Sequence, residues 1–150
     1  MSLILSNKYL LFLFRIFLGF IFIYAGIEKI SDPLAFSNSI NNYNLLPFSF
    51  VNFFAITLPW IELSAGLLLL FGVYVKENSS IIFTLLIIFF IAIAISLARG
   101  LNIECGCFGT SSGTKIGFIK LVENLILIFM SAVLIKFGSE LVPLKENIEN

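Results

Sequence analysis

The chain has 150 residues, of which 59% are hydrophobic and 12% are charged, and its mean hydropathy is +1.07. A soluble domain of this length cannot hide so much apolar surface from water, so the excess is expected to face lipid. With zero net charge, no basic run, no histidine and only two cysteines, the composition argues against nucleic acid as a partner and against a closed zinc site.

Four apolar stretches approach or exceed the length needed to cross a ~30 Å hydrocarbon core as a helix. Backbone groups in lipid must be satisfied within a segment, and no stretch alternates like a barrel strand. The sequence therefore predicts an all-α membrane protein, a four-transmembrane-helix bundle in residues 1–138 with a polar tail at 139–150. The first stretch contains Arg15 and has no convincing cleavage site, so we expect a retained helix rather than a signal peptide. The expected spans are about Tyr9–Ile27, Phe50–Tyr74, Ser80–Ala98 and Ile116–Phe137.

The connections between the spans define the layout of the bundle. The first, Glu28–Ser49, is long, and its mostly polar stretch Ser37–Asn44 predicts a short helix at the membrane interface. The second, Val75–Ser79, is tight, which makes the second and third spans antiparallel neighbours. The third, Arg99–Lys115, contains both cysteines. Four spans place both termini on one side of the membrane and the cysteines on the other.

The basic residues indicate the orientation, because cytoplasmic loops carry an excess of Lys and Arg. Four basic residues lie on the side of the termini and three on the opposite side. This small excess favours cytoplasmic termini in the cell inner (plasma) membrane and an extracytoplasmic cysteine segment. The first group is Lys8, Lys76, Lys136 and Lys145, and the second is Lys29, Arg99 and Lys115.

Charged residues inside the spans are candidates for a buried site. Arg15 lies about two turns into the first span and Glu62 lies well inside the second, and such charges usually face the bundle interior and pair. Depths counted at 1.5 Å per residue differ by about 5 Å, so we expect an Arg15–Glu62 pair. Lys120 and Asn124 form a polar stripe on the fourth span, with Glu123 alongside. These residues either clamp the helix register or form a polar site for a quinone or a proton.

Cys105 and Cys107 are separated by a single glycine in the third connection. Two thiols this close can form a disulfide, but its ring is small and strained, so another thiolate attacks it easily. This chemistry suits thiol–disulfide exchange, which makes both cysteines candidate catalytic residues. Two alternatives stay open: an inert pair of thiols, and a half-site for a soft metal such as copper that needs ligands from another chain.

The motifs of the chain resemble those of a known family, in the same order along nearly its whole length. They are Arg15-x-x-x-Gly19, Ala25-Gly26-x-x-Lys29, Asp32-Pro33, Tyr43-x-x-Leu46-Pro47, Leu58-Pro59-Trp60-x-Glu62-x-x-x-Gly66 and Cys105-Gly106-Cys107-Phe108-Gly109. The family is that of the MauE/DoxX membrane proteins. The resemblance implies a redox-associated protein. MauE-type members are linked to methylamine utilisation and to maturation of the disulfide-rich small subunit of methylamine dehydrogenase, and DoxX relatives to quinone-linked redox complexes.

The leading hypothesis is a membrane thiol–disulfide oxidoreductase. In it, Cys105 and Cys107 exchange with a thioredoxin-like or other extracytoplasmic redox protein, and the bundle passes electrons to a quinone. An alternative is a non-enzymatic anchor or assembly subunit of a redox complex, whose cysteines only stabilise the connection. A third is a small-molecule carrier that uses Arg15 and Glu62, although the spans show no internal repeat typical of transporters. No metal is expected as a cofactor.

Overall fold

The computed structural model describes residues 7–100 and 117–138. Within these residues the chain forms five helices and no strand, which confirms the all-α prediction. Cys105, Cys107 and the tail at 139–150 lie outside the described residues. The helices are α1 (Lys8–Ser31), α2 (Pro33–Asn42), α3 (Phe48–Phe71), α4 (Val75–Ala98) and α5 (Phe118–Phe137).

Four of these helices, α1, α3, α4 and α5, are long and apolar enough to cross a membrane. At 1.5 Å per residue, their 20 to 24 residues extend about 30 to 36 Å, which matches the ~30 Å hydrocarbon core. Large apolar side chains on their outer faces, such as Phe20, Phe53 and Ile88, are exposed and are suited to contact lipid. The chain is therefore a multi-pass membrane protein with four spanning helices.

The short helix α2 lies in the first connection and begins earlier than the sequence predicted. Asp32 caps it, because its side-chain oxygen accepts a hydrogen bond of 3.0 Å from the backbone N–H of Ala35. Pro33 occupies the first turn, where a proline has no hydrogen bond to lose. The Asp-Pro pair therefore ends α1 and also starts α2.

The turn between α3 and α4 is shorter than the predicted connection, since α4 already begins at Val75. Gly72 ends α3 in the left-handed conformation, with φ at 75°. Asn78 then holds the turn, because its side-chain amide donates to the carbonyl oxygens of Val73 and Tyr74 at 2.8 and 3.1 Å. The two helices are antiparallel neighbours, as expected.

The spanning helices form a ring in the order α1, α3, α4, α5. Contacts are most extensive between α1 and α3 and between α4 and α5, and sparser between α3 and α4 and between α1 and α5. The apolar core runs along the axis of this ring. Its fully buried side chains include Leu11, Leu18, Leu69, Ile82, Leu86 and Leu134.

Small residues bring the backbones of α1 and α3 into direct contact. A Cβ atom on Gly26 would lie 2.9 Å from the carbonyl oxygen of Pro59. One on Gly66 would lie 2.9 Å from the backbone nitrogen of Ile23 and 3.0 Å from the carbonyl oxygen of Gly19. Because these contacts are with backbone atoms, larger residues would push the helices apart. We refer to Gly19, Gly26 and Gly66 as the glycine seam, and it sets the register of α1 on α3.

Candidate functional site: a buried lysine–glutamate pair

An ion pair between α1 and α3 lies in the interior of the bundle. The ammonium nitrogen Nζ of Lys29 donates to both carboxylate oxygens of Glu62, at 2.7 Å each. The side chains are 0% and 2% exposed. Each charge is thus neutralised by the other, and charge-assisted bonds of this length are among the stronger hydrogen bonds in proteins.

Aromatic rings from two further helices enclose the Lys29 ammonium. Its Nζ atom lies 5.1 Å from the ring centroid of Phe36 on α2 and 5.1 Å from that of Phe89 on α4. A cation over a ring face within this distance is attracted by the ring quadrupole. Side chains of α1, α2, α3 and α4 therefore meet at one charged group, and the pair ties α2 to the bundle.

The predicted Arg15–Glu62 pair is wrong, since Glu62 pairs with Lys29. The glycine seam places Arg15 beside the carboxyl end of α3, where one of its terminal nitrogens lies 2.7 Å from the position of a Cβ on Gly72. Glu62 is ten residues before Gly72, which corresponds to about 15 Å along a helix. The expectation assumed depths counted from the span ends, whereas backbone contacts between the helices decide the register.

The sequence does not single out Lys29 as the partner of Glu62, because Lys29 follows the predicted end of the first span at Ile27. The signal was present: Phe22 and Gly26 lie on the buried face of α1, and Lys29 continues it at the next helical step. α1 extends to Ser31, so Lys29 lies within the helix. Side chains lean toward the amino end of a helix, which directs the ammonium into the bundle.

The polar residues of α5 divide between its surface and its interior. Lys120 and Glu123 form an ion pair of 2.8 Å with side chains 21% and 46% exposed. Asn124 is fully buried, and its amide nitrogen and oxygen have no hydrogen-bond partner within the described residues. The expected polar stripe is therefore divided into a surface ion pair, Lys120–Glu123, and a buried amide, Asn124. Within the described residues, neither forms a hydrogen bond with Glu62.

The end of α2 contacts the same region of the bundle through Tyr43. This residue is buried with Ile93 of α4, and Phe89 and Leu121 pack against them. Burial raises the pKa of the Tyr43 hydroxyl well above its ordinary value. Tyr43 thus anchors the chain after α2 to both α4 and α5, at the side where α4 ends and α5 begins.

The two cysteines belong to the segment that joins these helix ends. Antiparallel alternation places the end of α4 and the start of α5 on the membrane side that also carries α2. Residues 101–116 connect the two ends, and Cys105 and Cys107 lie in this segment, outside the described residues. Their pairing and catalytic role stay predictions.

The structure defines a class of protein, a small multi-pass membrane protein. It has four spanning helices, a short helix on one side and a buried ion pair between α1 and α3. The sequence profile described as Methylamine utilisation protein MauE matches residues 7–137, and the chain belongs to this family. This confirms the MauE part of the resemblance that the motifs carried.

Three curated relatives, each named Methylamine utilization protein MauE, show the extent of the similarity. The chain is 32% identical to that of Methylorubrum extorquens over 73% of its own length and 60% of the relative. It is 27% identical to that of Paracoccus denitrificans over 82% and 67%. It is 32% identical to that of Methylophilus methylotrophus over 77% and 62%. The chain thus spans about 60 to 67% of the length of these relatives. No solved structure matches it.

Proposed function

We propose that the protein takes part in methylamine utilisation as a membrane thiol–disulfide exchange protein that acts on extracytoplasmic partners. The Cys105-Gly106-Cys107 motif carries this proposal, since these are the only cysteines of the chain. The name of the curated relatives supports the metabolic assignment. Membership of the MauE family supports a role in the membrane. The pair of closely spaced thiols is the reason for proposing thiol–disulfide exchange.

The proposed chemistry is reversible exchange. A thiolate of the partner protein attacks one sulfur of the Cys105–Cys107 disulfide, and a mixed disulfide forms. The partner's second thiolate resolves it, so the partner gains a disulfide and the motif becomes a dithiol. A membrane quinone then accepts two electrons and two protons from this dithiol, which restores the disulfide and yields a quinol. Partners of this kind are thioredoxin-like or other redox proteins outside the cytoplasm.

The buried pair fits a supporting role in this activity. Lys29 donates to both oxygens of Glu62, and the paired charges are fully enclosed, so a carrier that needs an available carboxylate gains no support from this site. The pair instead links α1 and α3, with Phe36 of α2 beside it. Lys29 lies near the end of α1 and Phe36 lies in α2, on the membrane side where α4 ends and α5 begins. In this proposal the pair holds the helices of the bundle in a fixed arrangement and has no direct part in the exchange chemistry.

Mixed-disulfide trapping tests the proposal directly. In Cys105→Ser and Cys107→Ser variants in native membranes, the one remaining thiol can attack the disulfide of an oxidised partner, which is the reverse of the exchange, and no second motif thiol is present to resolve the mixed disulfide. We expect one of them to accumulate a covalent adduct with an extracytoplasmic protein that reductant releases, while the double variant forms none.

A redox titration against glutathione buffers complements the trapping experiment. Alkylation and mass spectrometry should show a couple that cycles between dithiol and disulfide. A midpoint far below about −300 mV would identify a structural bond. Thiols that never oxidise would favour the assembly-subunit alternative. Either result rejects the exchange activity.

A further inference from the structure

A groove on the outside of the bundle separates α1 from α5. Its volume is about 600 Å³, within the range of 300 to 1,000 Å³ that is typical of small-molecule sites. The contacts between α1 and α5 are sparser than those between α1 and α3, which leaves this space open. The groove is lined by Phe17, Phe20, Ile21, Tyr24, Glu123, Ile126 and Leu127.

The lining combines aromatic rings with one ion pair. Phe17, Phe20 and Tyr24 project from α1, and Glu123 is the only charged residue among the lining side chains. Glu123 accepts a hydrogen bond of 2.8 Å from the ammonium of Lys120. It lies five residues after Phe118, the first residue of α5, so it is about 7.5 Å into the span. A neutral pair of charges therefore sits at the edge of an otherwise apolar groove, below the membrane surface.

We infer that this α1/α5 groove binds the ring of an isoprenoid quinone, an inference that rests on the proposed exchange function and names its electron acceptor site. A quinone ring is flat, apolar on its faces and carries carbonyl oxygens at its edge. The rings of Phe20 and Tyr24 offer surfaces for stacking. Lys120 has three donors, of which one bonds to Glu123, so a quinone carbonyl can accept another. The isoprenoid tail extends from the open side of the groove into lipid.

Other occupants fit this groove less well. The phosphate of a phospholipid is an anion, which would lose its hydration at this depth. A partner helix or a second copy would be expected to pack on small residues, as α1 does on α3. The groove lining instead consists of large side chains and contains no glycine. A neutral ring with carbonyl oxygens can accept a hydrogen bond from Lys120 and can pack against the apolar walls of the groove.

The redox step balances through the two cysteines. The thiols of Cys105 and Cys107 lose two electrons and two protons as their S–S bond forms. The quinone takes up both electrons and both protons and becomes a quinol. Since Glu123, Ile126 and Leu127 lie in the amino-terminal half of α5, a ring bound beside Glu123 lies nearer the membrane side on which α5 begins.

Tryptophan fluorescence can report occupancy of the groove. Trp60 is the only tryptophan and lies on α3, away from the groove lining. In a Trp60→Phe background, Phe17→Trp places a reporter inside the groove. Decylubiquinone is added to protein in vesicles of phosphatidylcholine with 20% phosphatidylglycerol, a composition chosen for the assay. We expect saturable quenching of the groove reporter, and only a linear decrease for Trp60 in the unsubstituted protein.

Two pairs of variants show whether the named residues hold the ring. Lys120→Gln should weaken binding about tenfold, because a charged hydrogen bond is lost, while Lys136→Gln at the other end of α5 should not. Ile126→Phe should fill the groove and abolish saturation, whereas Ile119→Phe, outside the lining, should not. Binding unaffected by Lys120→Gln and Ile126→Phe overturns the assignment.

Further controls separate the possible occupants from one another and from the exchange function. Linear quenching at the groove reporter means that no specific quinone site exists there. Loss of saturation as the phosphatidylglycerol fraction rises assigns the groove to an anionic lipid, and saturation only in cross-linked dimers assigns it to a second copy; both reject the quinone site. The same titration in the Cys105→Ser, Cys107→Ser double variant should be unchanged. Failure of the cysteine couple and failure of the groove are therefore distinguishable.

Discussion

Replacing Lys29 by methionine should destabilise the bundle by about 3 to 5 kcal/mol. The variant leaves the Glu62 carboxylate in a site that is 2% exposed, without the ammonium that now bonds both of its oxygens. It also removes the cation from the rings of Phe36 and Phe89. Glu62→Met should have a loss of similar size, because it leaves a buried ammonium unpaired. The double variant should unfold close to the wild type, since replacing a whole buried pair by apolar groups is often neutral or stabilising.

Unfolding in detergent micelles, followed by the fluorescence of Trp60 as denaturant rises, measures these free energies. The surface pair supplies a matched control, because its side chains are 21% and 46% exposed. Lys120→Met should change stability by less than about 1 kcal/mol. A double variant whose loss equals the sum of the two single losses would show that Lys29 and Glu62 are not coupled. That outcome would refute the buried pair as the device that joins α1 to α3.

The glycine seam gives a prediction that is independent of charge. Gly66→Ala should destabilise by about 1 to 3 kcal/mol, because its Cβ atom would lie 2.9 Å from the backbone nitrogen of Ile23 and the helices must separate. A Gly66→Ala protein as stable as the wild type contradicts the seam. The topology prediction is tested by fusions to the carboxyl end. We expect a fused fluorescent protein to be active and a fused alkaline phosphatase to be inactive, whereas strong phosphatase activity would place the cysteine segment inside the cell.

Much of the fold could be predicted because hydrophobicity is a property of each residue and its neighbours in the chain. All four spans were located to within a few residues, apart from the start of α4. The Asn78 side chain donates a hydrogen bond to the carbonyl oxygen of Val73 and so holds the turn, and α4 begins at Val75. Lys76 and Glu77 therefore lie within the exposed first turn of α4. Charged residues read as a boundary were therefore part of the helix.

The partner of Glu62 could not be predicted from the sequence alone. Glu62 was recognised as an interior charge, and interior charges need partners, so a cation from another helix was expected. Apart from Lys8 at its first residue, α1 carries two cations, Arg15 and Lys29. Choosing between them required the register of α1 on α3, which depends on backbone contacts at Gly26 and Gly66 between segments far apart in the chain.

By itself, the sequence determined the class of protein, the number of spanning helices, the family motifs and the presence of an interior carboxylate. Those features follow from composition and local pattern. Only the tertiary structure decided that Lys29 is the partner of Glu62, that Asn124 faces inward and Glu123 outward, and that α1 and α5 leave a groove between them. These outcomes depend on how close two helices approach, and that distance is set jointly by side chains on both of them.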